Sequence, residues 1–144
     1  MRLILLALAL LAGCVIVQII GMLLLIHWLA RVRSIIESPS VPRRMGLLLG
    51  LFVSIVLLHL IQVGLWAIVF WSAHQLPDLE TAVYFSLASY TTIGFGDVVL
   101  EPGWRMLAGI EGLTGLVLVG WSTAFVFAIV NRMYEHWRQM HGAP

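Results

Sequence analysis

The sequence predicts an all-α membrane protein with three transmembrane helices and one short re-entrant helix. Of its 144 residues, 61% are hydrophobic and only 10% are charged, whereas soluble domains carry about a quarter charged residues. Three apolar runs exceed the roughly 20 residues that a helix needs to cross a bilayer. A fourth apolar segment is too short to cross and leads into a glycine-rich stretch. The net charge of +1 gives no indication of nucleic-acid binding.

The three long apolar runs are expected to be helical, because lipid offers the backbone no hydrogen-bond partners. They cover Leu3–Leu29, Met45–Trp71 and Met106–Val130. The first run predicts an N-terminal transmembrane helix over residues 1–30. The other two predict transmembrane helices over 45–71 and 104–130.

The first run has one competing interpretation. Arg2 and the stretch Leu11-Ala12-Gly13-Cys14 formally resemble a lipoprotein signal with a lipidated cysteine. The apolar run continues past Cys14 to Leu29, however, and is longer than the core of a signal peptide. A retained transmembrane helix is therefore expected. The single cysteine also excludes an intrachain disulfide and a cysteine-based metal cage.

The distribution of arginine predicts the orientation in the membrane. Residues 31–44 form an arginine-rich linker and residues 131–144 a short tail with further arginines, whereas residues 72–103 contain none. By the positive-inside rule, the linker and the tail are cytoplasmic, and the N-terminus and residues 72–103 lie outside. The expected location is the inner cell membrane. Pro39 and Pro42 are expected to break helical structure in the linker.

The outer connection contains the short apolar segment Leu79–Tyr90, LETAVYFSLASY. A helix of twelve residues reaches about 18 Å, which is too short to span. Pro77 and Asp78 precede it and favour a helix start. The break into TTIGFGD then predicts a short re-entrant helix over 79–91 and irregular backbone after it. Such backbone is tolerated at membrane depth only where it lines a water-filled path.

The stretch Thr91-Thr92-Ile93-Gly94-Phe95-Gly96-Asp97 resembles the selectivity-filter signature of potassium channels. The resemblance extends from Phe52 to about Val130. Over this range the chain is similar to the two-helix pore module of bacteria and to the tandem-pore channels of animals. A match to the filter signature that is flanked by two transmembrane spans is a specific signal, whereas Gly-x-Gly alone would be a weak one. It implies a pore module over 45–130. Its parts are an outer helix at 45–71, a pore helix at 79–91, the filter at 92–97 and an inner helix at 104–130. The competing interpretation is a glycine-rich turn between two spans.

The resemblance implies that backbone carbonyls bind the permeant ion, K⁺, in place of its hydration shell. The implied ligands are Thr92, Ile93, Gly94, Phe95 and Gly96. Glycine permits the alternating backbone that this arrangement needs. One chain supplies one such segment and a ring around an ion needs four, so a homotetramer in the lipid bilayer is expected. No small-molecule substrate is expected.

Further residues are candidates for supporting the filter. Thr91 and Asp97 flank it, although Asp97 could also be an ordinary solvated acid. Two positions depart from the common family pattern: Phe95 replaces a tyrosine, and Ala88 stands where several relatives have a carboxylate. Glu111 is an intramembrane carboxylate and therefore a functional candidate. It could brace the pore helix in place of the missing carboxylate, or it could be a packing contact or a protonated group bonded to neighbours such as Gln62.

The spans contain a few more candidates. Gly115 lies close to where related inner helices bend, which makes it a possible gating hinge, and a packing role is equally compatible. His59 and Gln62 lie one turn apart and predict interhelical hydrogen bonds rather than a metal site. Ser122 and Thr123 are expected to face water in an inner cavity.

These features predict passive, potassium-selective conduction and not an enzyme. The sequence contains no phosphate-binding loop and no cluster of histidine and cysteine. Two alternatives remain open. One is a weakly selective cation channel, because Phe95 and Ala88 could loosen the filter. The other is a non-conducting membrane subunit that retains the motif as structure. No span carries arginine at every third position, so no voltage sensor of the usual kind is predicted.

Overall fold

The computed structural model describes residues 1–32 and 40–142, except for the side chains of residues 136, 140 and 141. It is all-helical, with 82% helix and no strand among the described residues, which confirms the predicted all-α class. In chain order the helices are α1 (Arg2–Arg31), α2 (Val41–Ser72), α3 (Leu79–Tyr90) and α4 (Arg105–His141).

Three of the helices, α1, α2 and α4, are long and apolar enough to cross a membrane. Their outer faces carry large apolar side chains that are more than half exposed in the single chain, among them Leu24, Leu57, Leu116 and Phe127. A continuous apolar surface of this kind marks contact with lipid or with other protein.

Helix α2 begins before its predicted start at residue 45. Its first residue is Val41, so Pro42 lies in the first turn. A proline is tolerated there because that turn's N–H groups have no partner within the helix. The prediction that Pro42 breaks the helix was therefore wrong. Arg33 and Pro39 of the predicted linker lie outside the described residues.

Helix α4 continues to His141, beyond the predicted end of the inner helix at residue 130. Its 37 residues extend about 55 Å, whereas the hydrocarbon core of a bilayer is about 30 Å thick. The segment after Val130 is polar, but arginine, glutamate, glutamine and methionine are good helix formers. The helix ends at Gly142, whose φ of 59° is left-handed.

The core positions α3 between α2 and α4. The ring of Phe70 on α2 meets Phe85 on α3 edge-on at 5.4 Å, and Trp66 is fully buried beside them. Helix α1 packs against both α2 and α4; Met22, for example, lies in one apolar cluster with Leu51. The first helix is therefore part of the core of its own chain.

Candidate functional site

Helix α3 has a well-defined start. Asp78 is its N-cap, and the Asp78 carboxylate accepts hydrogen bonds from the Thr81 backbone N–H at 2.7 Å and from the Thr81 hydroxyl at 3.0 Å. An aspartate at this position satisfies a free N–H and lies at the positive end of the helix dipole. The cap fixes where α3 begins.

The loop after α3 has an alternating backbone. The φ angles of Thr92, Gly94 and Gly96 are +60°, +54° and +81°, while Ile93 and Phe95 between them have no positive φ. Glycine adopts such angles without steric strain, but a β-branched residue such as Thr92 rarely does. The stretch from Thr92 to Gly96 thus combines three left-handed residues with two ordinary ones in strict alternation.

The N–H groups at the start of this loop are bound to the end of α3. The Thr92 N–H donates to the Ser89 carbonyl at 3.0 Å, and the Ile93 and Gly94 N–H groups donate to the Ala88 carbonyl at 2.9 and 3.1 Å. Three successive donors are therefore directed at the C-terminal turn of α3. In addition, the Thr91 hydroxyl donates to the Leu87 carbonyl at 2.7 Å.

The loop is open on its other side. All residues from 91 to 97 are exposed in the single chain, including the apolar side chains of Ile93 and Phe95 at 58% and 67%. Exposed apolar groups of this size beside ordered backbone favour coverage by another protein surface.

The outer end of the loop is connected to α3 through Tyr84. The Tyr84 ring stacks on Phe95 with 6.3 Å between centroids and an interplanar angle of 6°. The Tyr84 hydroxyl donates to Asp97 Oδ2 at 2.7 Å, and this bond lowers the pKa of the Asp97 carboxyl. Asp97 therefore has a defined partner on α3, and Tyr84 supplies a hydroxyl where Phe95 has none.

The end of α3, where the loop begins, is in direct contact with α4. A Cβ added to Gly115 would overlap the Tyr90 carbonyl oxygen, and one added to Gly112 would lie 3.0 Å from the Ser89 carbonyl oxygen. Only glycine at position 115 lets α4 approach the end of α3 this closely. The structure gives Gly115 a packing contact, and its role as a hinge stays a prediction.

Glu111 lies on α4 and is fully buried. Neither of its carboxyl oxygens has a hydrogen-bond partner among the described residues, and the buried hydroxyl of Ser86 on α3 is likewise unpaired. Gln62, the other proposed neighbour of Glu111, instead forms hydrogen bonds with Gln18 and Tyr90. The described residues thus form no hydrogen bond between Glu111 and α3, and the bracing role of Glu111 stays a prediction.

A buried network of hydrogen bonds lies behind the end of α3. It contains His59 and Gln62, as the prediction of interhelical bonding required, together with Gln18, Tyr90 and Ser122. Ser122 is only 3% exposed, so the expectation that it faces water was wrong. Thr123 is exposed, and its hydroxyl donates to the Val119 carbonyl at 2.9 Å.

Sequence reasoning missed three residues of this site. Gln18 could have been found, because an amide within a long apolar run requires a polar partner. Tyr84 and Tyr90 gave no comparable signal, since tyrosine is common near membrane interfaces and its partners lie far away in the sequence.

A family model described as an ion channel, with a domain of the two-transmembrane potassium-channel type, matches residues 48–132. The matched region contains most of α2, all of α3 with the loop after it, and α4 as far as Arg132. Helix α1 lies outside it. No curated protein and no solved structure shows a significant match to the chain.

Proposed function

Since the chain belongs to this ion channel family, we propose that it is one subunit of a potassium-selective channel. Ion channels are a non-enzymatic kind of protein. With its three apolar helices, the chain is a multi-pass membrane protein. In the proposal, four copies surround a central path. Backbone carbonyls of the 92–96 loop then replace the hydration shell of K⁺; the ligand residues are Thr92, Ile93, Gly94, Phe95 and Gly96.

The alternating backbone is the observation that carries this proposal. When left-handed and ordinary residues alternate, successive N–H groups turn to one side of the strand and the carbonyls to the other. The N–H groups of Thr92, Ile93 and Gly94 are bound to α3. Their carbonyls are therefore free to form a row of oxygens on the opposite side, which is what a desolvated cation needs.

Two further features support a tetrameric pore that binds a cation. The loop is open in one chain, so a ring of oxygens needs further copies, and cyclic symmetry closes such a ring. The C-terminus of α3 near Tyr90 and Thr91 carries the negative end of the helix dipole, which favours a cation there. Thr91 and Asp97 then support the filter from its two ends.

In the proposal, the distribution of arginine determines the orientation of the chain in the membrane. The arginine-rich linker and the C-terminal end of α4 are cytoplasmic, whereas Asp97 and the N-terminus face outward. The filter then lies near the outer surface, and the extension of α4 projects into the cytoplasm from the inner membrane.

Ion flux from the purified protein in liposomes, with barium as blocker, tests the proposal. Gly94→Ala should abolish flux and leave the tetramer intact, because alanine at a φ of +54° is strained by about 1–2 kcal/mol. Gly13→Ala is the matched control: Gly13 lies in α1 without a positive φ and with open space at its Cβ, so flux should be unchanged. Persistent flux in Gly94→Ala would overturn the assigned filter.

Reversal potentials in mixed potassium and sodium separate potassium selectivity from a weakly selective cation channel. A potential near the potassium equilibrium value supports the proposal, and one near zero favours the weakly selective alternative. A pure, tetrameric protein with no flux at all would instead indicate a non-conducting subunit.

A further inference from the structure

The five polar residues behind the end of α3 form a closed ring that joins all four helices. Gln62 Nε2 donates to Gln18 Oε1 at 2.8 Å, and Gln18 Nε2 donates to Ser122 Oγ at 2.9 Å. His59 Nε2 lies 3.0 Å from Ser122 Oγ, and His59 Nδ1 lies 2.9 Å from the Tyr90 hydroxyl. The Tyr90 hydroxyl donates to Gln62 Oε1, which closes the ring. We call this set the polar ring.

The bonds of the polar ring run head to tail. Because Tyr90 gives its hydroxyl proton to Gln62, its oxygen accepts from the Nδ1–H of His59. His59 Nε2 is then the acceptor and takes the proton of Ser122, whose oxygen already accepts from Gln18. Each member donates once and accepts once around the ring, so the bonds reinforce one another and neutral His59 has a single tautomer.

Helix α1 contributes the one member that the channel domain lacks. Gln18 is fully buried and lies outside the residues that match the family. Its amide supplies both the acceptor for Gln62 and the donor for Ser122. Without it, two buried polar groups on α2 and α4 would lose a partner, and an unsatisfied buried group is more costly than the net gain from an ordinary hydrogen bond.

The polar ring holds the last residue of α3. Tyr90 is 2% exposed, its hydroxyl lies in the ring, and its backbone carbonyl packs on Gly115 of α4. Only Thr91 separates it from Thr92, the first residue of the alternating loop. Tyr90 is thus fixed from both its side chain and its backbone at the point where the loop begins.

We infer that α1 is a filter-positioning helix, with Gln18 as its positioning residue. By completing the polar ring, Gln18 fixes Tyr90 and through it the inner end of the 92–96 loop. The inference rests on the proposed function, since it assumes that this loop is the filter. It assigns the first helix a role in ion binding at the filter, beyond a contribution to packing.

The test compares three variants of the full chain in liposomes. Gln18→Leu keeps the side-chain volume and removes both polar functions. Gln18→Glu keeps one acceptor and, when protonated, one donor, and so serves as the conservative variant. Gln139→Leu is the matched control, because it makes the same chemical change at an exposed position on α4. The measurements are barium affinity and the potassium-to-sodium permeability ratio, with tetramer melting recorded in parallel.

We expect Gln18→Leu to change barium affinity or the permeability ratio by about fivefold or more, the effect of losing roughly one net hydrogen bond. Gln18→Glu should recover most of that change, and Gln139→Leu should match the wild type. If Gln18→Leu lowers tetramer melting but leaves both filter properties unchanged, α1 has only a structural role and the inference fails. A wild-type protein without potassium-selective flux would instead overturn the proposed function itself.

Discussion

At the outer end of the 92–97 loop, Tyr84 makes the connection that Phe95 cannot make without a hydroxyl. Its ring stacks on Phe95 and its hydroxyl binds Asp97. Both contacts originate from one side chain of α3, so Tyr84 holds two residues of the loop at once. The loop can therefore be tied to α3 even though its own aromatic residue is a phenylalanine.

This contact gives a pH prediction. The hydrogen bond from Tyr84 lowers the pKa of Asp97. The stability that this bond contributes is therefore fully present above the ordinary aspartate pKa and is lost as pH falls through the lowered pKa. Tyr84→Phe should raise the pKa of Asp97 toward the ordinary range, so that Asp97 becomes protonated at higher pH and its pH-dependent contribution to stability shrinks. Titration of the Asp97 carboxyl by carbon NMR measures this shift.

The matched control for this titration is Tyr134→Phe, the same change on the exposed C-terminal part of α4. It should leave the titration of Asp97 unchanged. An equal pKa of Asp97 in the wild type and in Tyr84→Phe would show that the hydroxyl does not bind the carboxylate in solution.

Near α3, Thr92 has a strained backbone and Glu111 has an unpaired buried side chain. Thr92 has a left-handed φ of +60°, an uncommon conformation for a β-branched side chain. Glu111 is fully buried without a hydrogen-bond partner among the described residues. Strained backbone and intramembrane carboxylates both concentrate at functional sites, and both residues here lie next to the end of α3.

At the scale of elements, the contact between α3 and α4 determines where the loop begins. The end of α3 lies directly on the glycine face of α4, with the carbonyls of Ser89 and Tyr90 against Gly112 and Gly115. A side chain at either position would separate the two helices. The loop that starts at Thr92 would then shift with α3.

Gly115→Ala tests this contact. The added methyl group overlaps the Tyr90 carbonyl and should destabilise the tetramer by about 1–3 kcal/mol, measured as a lower melting temperature. Gly109→Ala, on the same helix with open space at its Cβ, is the control and gains only helix propensity, about 1 kcal/mol. The difference between the two variants isolates the overlap.

A hinge at Gly115 predicts a different pattern from a packing contact. If the residue serves mainly as a hinge, alanine should change the open probability of the channel while melting stays equal to that of Gly109→Ala. That outcome would contradict the packing role.

At the scale of the whole molecule, two of the apolar surfaces that the described residues leave exposed in the single chain differ in kind. One kind covers the outer faces of the long helices and suits lipid. The other is the patch formed by Ile93 and Phe95 on the loop. In the proposed tetramer, neighbouring copies cover this second patch.

Two matched substitutions distinguish these surfaces. Ile93 and Ile16 are 58% and 57% exposed in the single chain. Ile93→Ala should destabilise the tetramer by about 2–4 kcal/mol, because a buried isoleucine is truncated in the assembly. Ile16→Ala on α1 should have little effect, since lipid replaces the lost contacts. Thermal dissociation of the tetramer in lipid nanodiscs measures both.

Equal behaviour of the two isoleucine variants would show that other copies do not cover the loop. A purified protein whose mass in nanodiscs corresponds to one or two chains of 16.0 kDa would contradict the tetramer directly.

The sequence by itself determined the helical class, the three spans and the position of the loop. These features depend on local chemistry: apolar length in the spans, Asp78 at the start of α3, and the glycines at positions 94 and 96. The same local rules placed the end of α4 too early and treated Pro42 as a helix breaker. Helices extend past the membrane boundary and tolerate proline in the first turn, so composition does not define their ends.

The tertiary structure alone decided which distant side chains meet. The polar ring joins Gln18 to Ser122, 104 positions apart, and the link between Tyr84 and Asp97 depends on the path of the loop. Periodicity shows which faces of a helix are apolar but not which helices pack together. The physical reason is that a buried polar group must be satisfied by whatever the fold places beside it, and that partner is set by packing in three dimensions.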